Sequence, residues 1–356
     1  MVKLILLGGG KIGSAIAAML GATGDYQITV ADRDGDSLKR LPTKNVRTQV
    51  LDVADPAALR AAIKGHEVVL SAMPYHLTPV IASAAKDSGA HYFDLTEDVE
   101  STRIVKKLAQ GADTAFVPQC GLAPGFISIV AHDMTKKFES LRDVNMRVGA
   151  LPVYPTNALK YNLTWSTDGL INEYCNPCEA IVDGKLREVP ALEEMEHFSL
   201  DGIDYEAFNT SGGLGTLAET LEGRIENLNY KTVRYPGHRD IIKTLVRDLR
   251  LSQRRDIMKD VLETAIPITY QDVVLVFVTV SGQQHGQLTQ ESYAKKVYAH
   301  EIGGKLMSAI QITTAAGICA MVDMMVAGKL PKKGFVRQEQ ADLKAFLANR
   351  FGKVYA

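Results

Sequence analysis

The residues best equipped for chemistry stand at the start of the chain. Gly8-Gly9-Gly10-Lys11-Ile12-Gly13 follows the apolar run Leu4-Ile5-Leu6-Leu7 and opens a helical stretch from Ser14 to Leu20. In a loop of this spacing Gly8 permits the tight turn, Gly10 lets the backbone approach a pyrophosphate, and Gly13 lets the helix pack against the strand. The phosphates then rest on the first helical turn, at Lys11, Ile12 and Gly13. A second apolar run, Ile28-Thr29-Val30-Ala31, ends at Asp32, where an acid can grip the adenosine ribose hydroxyls. These features predict a bound dinucleotide. Asp32 repels a 2′-phosphate and so points to NAD, whereas the adjacent Arg33 can pair with that phosphate or stack on adenine and leaves NADP open.

Other polar residues follow predicted strands, where ligands bind in a parallel sheet. Asp52 can accept from the adenine amino group, while Asp55 is better explained as the cap of a helix beginning at Pro56. Ala72, Met73 and Pro74 border the nicotinamide ribose or form a plain turn. Asp94 and Glu97 either hold a substrate ammonium group or belong to a helix start capped by Thr96 or Asp98. The Gly- and Pro-rich loop from Pro118 to Gly125 brings Cys120 and Gly121 to the cofactor and serves as a hinge. Cys175 and Cys178 have redox or metal-ligand spacing but no second pair, so no metal is expected.

These residues need a scaffold, and the first 120 residues supply its rhythm. Strands are predicted at 3–7, 27–31, 46–50, 67–71, 91–93 and 114–117, with helices including 56–64, 77–88 and 99–110. That alternation is an α/β fold, a Rossmann-type doubly wound parallel sheet. After Gly125 the pattern changes. Asp183-Gly184 and Asp201-Gly202 sit between strand-like runs and signal hairpins, and long alternating runs follow at 273–281 and 292–300. A second α+β domain with a mixed or antiparallel sheet is expected. The boundaries read as 1–122 for the dinucleotide domain, completed by helices within 304–356, and 123–303 for the substrate and dimerisation domain.

With 356 residues, 46% hydrophobic and 23% charged, the chain has a globular composition long enough for two cores. Forty basic and 41 acidic side chains leave a formal charge of -1, without the electrostatic footprint of a nucleic-acid partner. The apolar stretch from Leu306 to Val326 is interrupted by Gln311 and Asp323, which favours a buried helix over a membrane span. The N-terminal apolar run is better explained as strand, loop and helix than as a signal peptide. The expected setting is the cytoplasm, the expected partner a small molecule.

Several segments together carry a resemblance. The opening glycine loop, Cys120-Gly-Leu-Ala-Pro-Gly125, Tyr161-Asn-Leu-Thr-Trp-Ser166, Glu206-Ala-Phe-Asn-Thr-Ser-Gly-Gly213 and Val233-Arg-Tyr-Pro-Gly-His238 resemble the saccharopine dehydrogenase superfamily, and within it the lysine 6-dehydrogenases. The resemblance implies NAD-dependent oxidative deamination of an amino acid by a homodimer. It places Tyr161, Ser166, Thr210, Gly213, Arg234, His238 and Lys243 at family positions in the second domain.

Physical roles fit several of these residues. Arg234 offers a planar fork for an α-carboxylate, or else makes an interdomain ion pair. Ser211-Gly212-Gly213, at the start of a helix, offers N–H groups to the same anion. His238 is a general base or a helix cap, Lys243 faces the site or solvent, and Tyr161 hydrogen-bonds substrate or fills the core. The first expectation is oxidation of L-lysine at its ε-carbon in an interdomain cleft, with a base keeping the amine neutral so that its lone pair assists hydride departure. The second is saccharopine dehydrogenase, whose substrate needs further cations such as Lys160, Lys231 and Arg239. A non-catalytic NAD-binding regulator and an opine- or polyamine-forming reductive enzyme stand as alternatives.

Overall fold

Runs of buried aliphatic residues form the centre of the first sheet: Leu4 to Leu7 and Val68 to Leu70 have no more than 1% of their surface exposed. Strands covered on both faces read as continuous apolar runs, and these belong to a parallel sheet. The computed structural model describes residues 1–41, 44–163 and 165–356. Its chain divides into two compact units, 1–126 with 301–305 and 311–356, and 127–300 with 306–310.

The first unit alternates β1 (Val2–Leu7), α1 (Lys11–Thr23), β2 (Tyr26–Asp32), α2 (Gly35–Lys39), β3 (Val46–Val50), α3 (Pro56–Ile63), β4 (Val68–Ser71), α4 (Thr78–Asp87), β5 (His91–Asp94), α5 (Val99–Leu108) and β6 (Ala115–Val117). A short strand at Gly334–Phe335 adds to β6, so the sheet order is that strand, β6, β5, β4, β1, β2, β3, every pair parallel. Helix starts are set by side chains: Asp34, Asp55 and Asp98 accept from backbone N–H groups of α2, α3 and α5. One face of the sheet, with Ile5, Leu7, Val69, Tyr92 and Phe116, packs with Leu59, Ile81 and Val105 of the helices.

The second unit contains α6 (Ile127–Thr135), β7 (Ser140–Pro152), α7 (Thr167–Cys175), β8 (Cys178–Val182), β9 (Lys185–Val189), β10 (Glu196–Leu200), β11 (Ile203–Asn209), α8 (Leu217–Leu221), β12 (Ile225–Arg234), α9 (His238–Lys243), α10 (Arg255–Ala265), β13 (Asp272–Gln284) and β14 (Gln287–Tyr298). Its sheet runs β10, β11, β12, β7, β13, β14, with β8 on β12 and β9 on β8. Only the β12–β7 pair in that main path is parallel, so the sheet is mixed. Asp183-Gly184 and Asp201-Gly202 both have positive φ at the two turn positions, as a two-residue hairpin requires. His285-Gly286 makes a third such turn, between β13 and β14, which the sequence signals above do not include. Leu170, Ile171, Phe208, Ile242, Met258 and Leu262 form the core around α7, α9 and α10.

Beyond β14 lie α11 (Ala309–Val326) and α12 (Leu343–Ala348). The apolar helix α11 is long enough to cross a membrane and has a mean hydropathy of 1.6, yet most of it is buried in protein. In the first unit its Asp323 accepts from Tyr26 Oη at 2.7 Å and from Arg350 Nη2 at 2.6 Å, and Tyr355 stacks on Phe126 at 3.8 Å between ring centroids.

Candidate active site

The glycine loop has the geometry of a phosphate seat. Gly8 adopts φ +104°, and a Cβ there would lie 2.8 Å from the Ala72 carbonyl oxygen. A Cβ on Gly13 would sit 1.9 Å from the Gly8 oxygen, so α1 can approach the loop only because the side chain is absent. Gly10 differs. It is exposed, a Cβ on it would meet nothing within 4 Å, and no side chain caps the α1 N-terminus that it begins. Lys11 and Ile12 form the next two positions of that first turn.

Asp32 ties this loop to the end of β2. Its Oδ2 accepts from Gly9 N–H at 2.7 Å and its Oδ1 from Asp34 N–H at 2.9 Å. Arg33 is exposed. Asp52 is exposed after β3, where its Oδ1 accepts from Ala54 N–H, and Asp55 is the cap of α3. Ala72, Met73 and Pro74 follow β4, with Ala72 N–H donating to Leu7 O.

After β5 and β6 the picture is more buried than the sequence suggests. Asp94 is 1% exposed, and its Oδ1 accepts from both Thr96 N–H and Gln119 N–H at 2.9 Å, so it binds together the loops that follow the two strands. Its Oδ2 has no hydrogen-bond partner, and burial pushes the carboxyl up to about 6. Asp98 caps α5, leaving Glu97 half-buried beside it. Gly121 packs near Leu95 and Thr314. The Cys120 side chain turns inward: it is 1% exposed, its thiol donates to Val117 O at 3.0 Å, and burial holds it protonated, which leaves the backbone of that loop as the part that could face a cofactor.

In the second unit a buried polar cluster gathers around Arg234, which is 3% exposed at the end of β12. The Nε–H donates to Tyr174 Oη at 3.1 Å and the Nη1 group to Val233 O at 2.9 Å, while the guanidinium carbon lies 4.8 Å from the Tyr161 ring centre. Its acidic neighbour is Glu173 of the same unit, 3.8 Å from Nη2, which replaces the interdomain ion pair offered as an alternative above. Tyr174 Oη also lies 3.0 Å from His238 Nε2, and His238 Nδ1 lies 2.8 Å from Leu159 O. Tyr161 packs edge-on to the His238 ring and accepts from Trp165 Nε1 at 3.2 Å. Thr164, within the Tyr161–Ser166 segment, lies outside the described residues.

Residues 4–116 match the family described as the saccharopine dehydrogenase NADP binding domain, and 121–353 match the saccharopine dehydrogenase C-terminal domain. The chain belongs to the saccharopine dehydrogenase family. It is 22% identical over 294 residues to the mitochondrial alpha-aminoadipic semialdehyde synthase of Mus musculus, covering 78% of this chain and 31% of that protein. It is 25% identical over 259 residues to the saccharopine dehydrogenase [NADP(+), L-glutamate-forming] of Pyricularia oryzae, covering 68% of this chain and 57% of that one. The chain thus spans about a third and just over half of these two relatives. In fold it is similar to the apo saccharopine dehydrogenase (L-Glu forming) of Saccharomyces cerevisiae, with a TM-score of 0.79 at 18% identity over 99% of this chain and 98% of that one.

Within this saccharopine dehydrogenase family chain, several expectations for the second unit change. Ser211-Gly212-Gly213 is a turn rather than a helix start, since α8 begins at Leu217, and Ser211 N–H donates to Glu173 O at 3.0 Å. Gly213 is glycine because the Tyr230 ring occupies the place of a Cβ, within 2.3 Å. Thr210 Oγ1 is hydrogen-bonded to Thr232 Oγ1 at 2.9 Å, inside the unit. Lys243 pairs with Glu193 at 2.9 Å, where Arg247 also binds.

His238 is neither a cap nor poised as a base. Gly237 occupies the cap position of α9, and burial, followed by the charge of Arg234, pushes the imidazole down to about 3, so it stays neutral. Glu173 and Tyr174 are the members the sequence reading missed. The available signal is an acid within Gly169-Leu-Ile-Asn-Glu-Tyr174, a helical stretch whose residues are otherwise apolar or uncharged.

Proposed function

We propose that the chain is an amino-acid oxidoreductase that uses a nicotinamide dinucleotide to oxidise a carbon–nitrogen bond, and that its substrate is a secondary amine of the saccharopine type rather than free L-lysine. The family membership of both halves supports the reaction class. Lys160 carries the choice of substrate. Its exposed side chain donates to Pro236 O at 3.0 Å, two residues beyond Arg234, and pairs with no carboxylate among the described residues. A lysine substrate offers one carboxylate, which Arg234 alone can take. A saccharopine-type substrate carries three, and a second cation anchored on the segment that follows Arg234 suits it. Lys231 does not serve, because Glu194 O and the Glu196 carboxylate already hold it, and Arg239 is engaged by Asp240 and Met195.

In this reading Arg234 grips a substrate carboxylate, and Tyr174 and His238 fix the plane of its guanidinium. The nicotinamide, when bound, supplies the hydride acceptor. The glycine loop holds the pyrophosphate at Gly10 and the first turn of α1. The substrate amine must be neutral for its lone pair to assist hydride departure; the carbon–nitrogen bond becomes an imine, and water then releases an amino acid and an aldehyde. Asp32 favours NAD, since its charge opposes a 2′-phosphate, and Arg33 is the group that would receive that phosphate in NADP. Replacing Lys160 with Met is the test: the KM for saccharopine rises while turnover of any monocarboxylic amine is unchanged. Equal effects on both classes of substrate reject the reading.

A further inference from the structure

Glu173 has no task in the reaction as drawn, yet it is a buried acid against a buried cation. We propose that Glu173 is a place-holding counterion for Arg234, which balances the guanidinium in the free protein and takes up a proton when a substrate carboxylate docks there. The proposal rests on the reading of Arg234 as a carboxylate site.

The geometry distinguishes this pair from a permanent structural bridge. Buried Arg–carboxylate pairs that hold a fold together are short and often bidentate, because only good hydrogen bonds offset the desolvation of both charges. Here Glu173 Oε2 stands 3.8 Å from Arg234 Nη2, beyond hydrogen-bond distance, and has no hydrogen-bond partner although it is fully buried. Among the described residues Nη2 donates no hydrogen bond, while Nε and Nη1 donate to Tyr174 and Val233. The pair satisfies charge balance and leaves the donors of Nη2 unspent. A second carboxylate could use them.

The charges then require a proton. Arginine does not deprotonate in proteins, so a buried site with one guanidinium and two carboxylates carries excess negative charge until one acid is neutralised. In the step, a proton from solvent bonds to Glu173, the substrate carboxylate becomes the counterion of Arg234, and no other bond forms or breaks. The surroundings leave Glu173 as the group that changes. Arg234 of β12 is the cation acting on it among the described residues. Cys178 of β8 is pushed up to about 12, His238 of α9 is pushed down to about 3, and burial keeps the hydroxyl of Tyr174, on its own helix, protonated. Burial raises Glu173 itself to about 7 against the pull of Arg234, within reach of physiological pH.

Calorimetric titration of L-glutamate into the full chain loaded with NAD, in two buffers of different ionisation enthalpy near pH 8, reads the proton directly. The wild type should take up about one proton per site, and its affinity should fall toward tenfold per pH unit above about pH 7. E173Q should bind glutamate with no uptake and a flat pH dependence. Equal uptake in the two proteins overturns the proposal, as does wild-type binding without uptake. If E173Q does not fold, a wild-type affinity that is constant between about pH 7 and pH 9 overturns it, and the predicted decline supports it. R234M identifies the other failure: glutamate binding that survives in R234M removes the carboxylate site itself.

Discussion

Tyr174 Oη and Arg234 Nε lie 3.1 Å apart, and that contact starts a chain of directed hydrogen bonds behind the guanidinium. Arginine can only donate, so the phenol oxygen accepts from it; the Leu159 carbonyl can only accept, so the neutral His238 ring leaves Nε2 to accept the Tyr174 hydrogen, 3.0 Å away. His238 must then carry its hydrogen on Nδ1, directed at Leu159 O. A neutral imidazole anchored at both nitrogens is a brace, not a base.

Tyr174→Phe removes the acceptor for Arg234 and the donor for His238 at once. Unpairing buried groups of this kind costs about 1–3 kcal/mol, which denaturant unfolding will register. The KM for a carboxylate substrate should rise more than kcat falls, because the guanidinium loses its orientation rather than its charge.

His238 predicts the acid side of the stability curve. Its folded value, about 3, lies below its ordinary value of 6.5, so the unfolded chain binds the extra proton first. Stability from this residue is complete above about pH 6.5 and is lost as the pH falls toward 3. Unfolding by urea at a series of pH values should show this decline in the wild type and a shallower one in His238→Gln, with no inflection from His238 in kcat/KM above about pH 5.

Asp94 has the opposite sign. Its folded value, about 6, lies above its ordinary 3.8, so its contribution is complete below 3.8 and is lost as the pH rises through about 6. That difference corresponds to about 3 kcal/mol between pH 4 and pH 7. Asp94→Asn keeps an acceptor for Thr96 and Gln119, and its stability should lack this component.

Two glycine substitutions separate space for the chain from space for the ligand. Gly13→Ala drives a Cβ into the Gly8 oxygen and should destabilise the first unit by several kcal/mol while abolishing dinucleotide binding. Gly10→Ala meets only open space and should leave the melting temperature unchanged, yet weaken NAD about tenfold or more by obstructing the pyrophosphate.

The first sheet was legible because its strands are short apolar runs separated by helices with Asp caps, and β3 at Val46–Val50 and the α3 start at Pro56 agree with the sequence to the residue. The two Asp-Gly hairpins were legible for a similarly local reason. What escaped depends on contacts distant in sequence. Gly334–Phe335 is too short to read as a strand and exists only because β6 offers its edge. Gly213 reads as an anion cradle until the Tyr230 ring is seen against it. Arg234 was recognisable from its fork and its family segment, but its acid and its brace come from α7, some sixty residues earlier, with no spacing to announce them.

The central claim is the choice of substrate, and steady-state reduction of NAD by saccharopine and by L-lysine, measured on the same protein, tests it most directly. The account predicts a kcat/KM for saccharopine at least about tenfold above that for lysine, a difference of about 1.4 kcal/mol in transition-state stabilisation. A kcat/KM for lysine equal to or above that for saccharopine would contradict it.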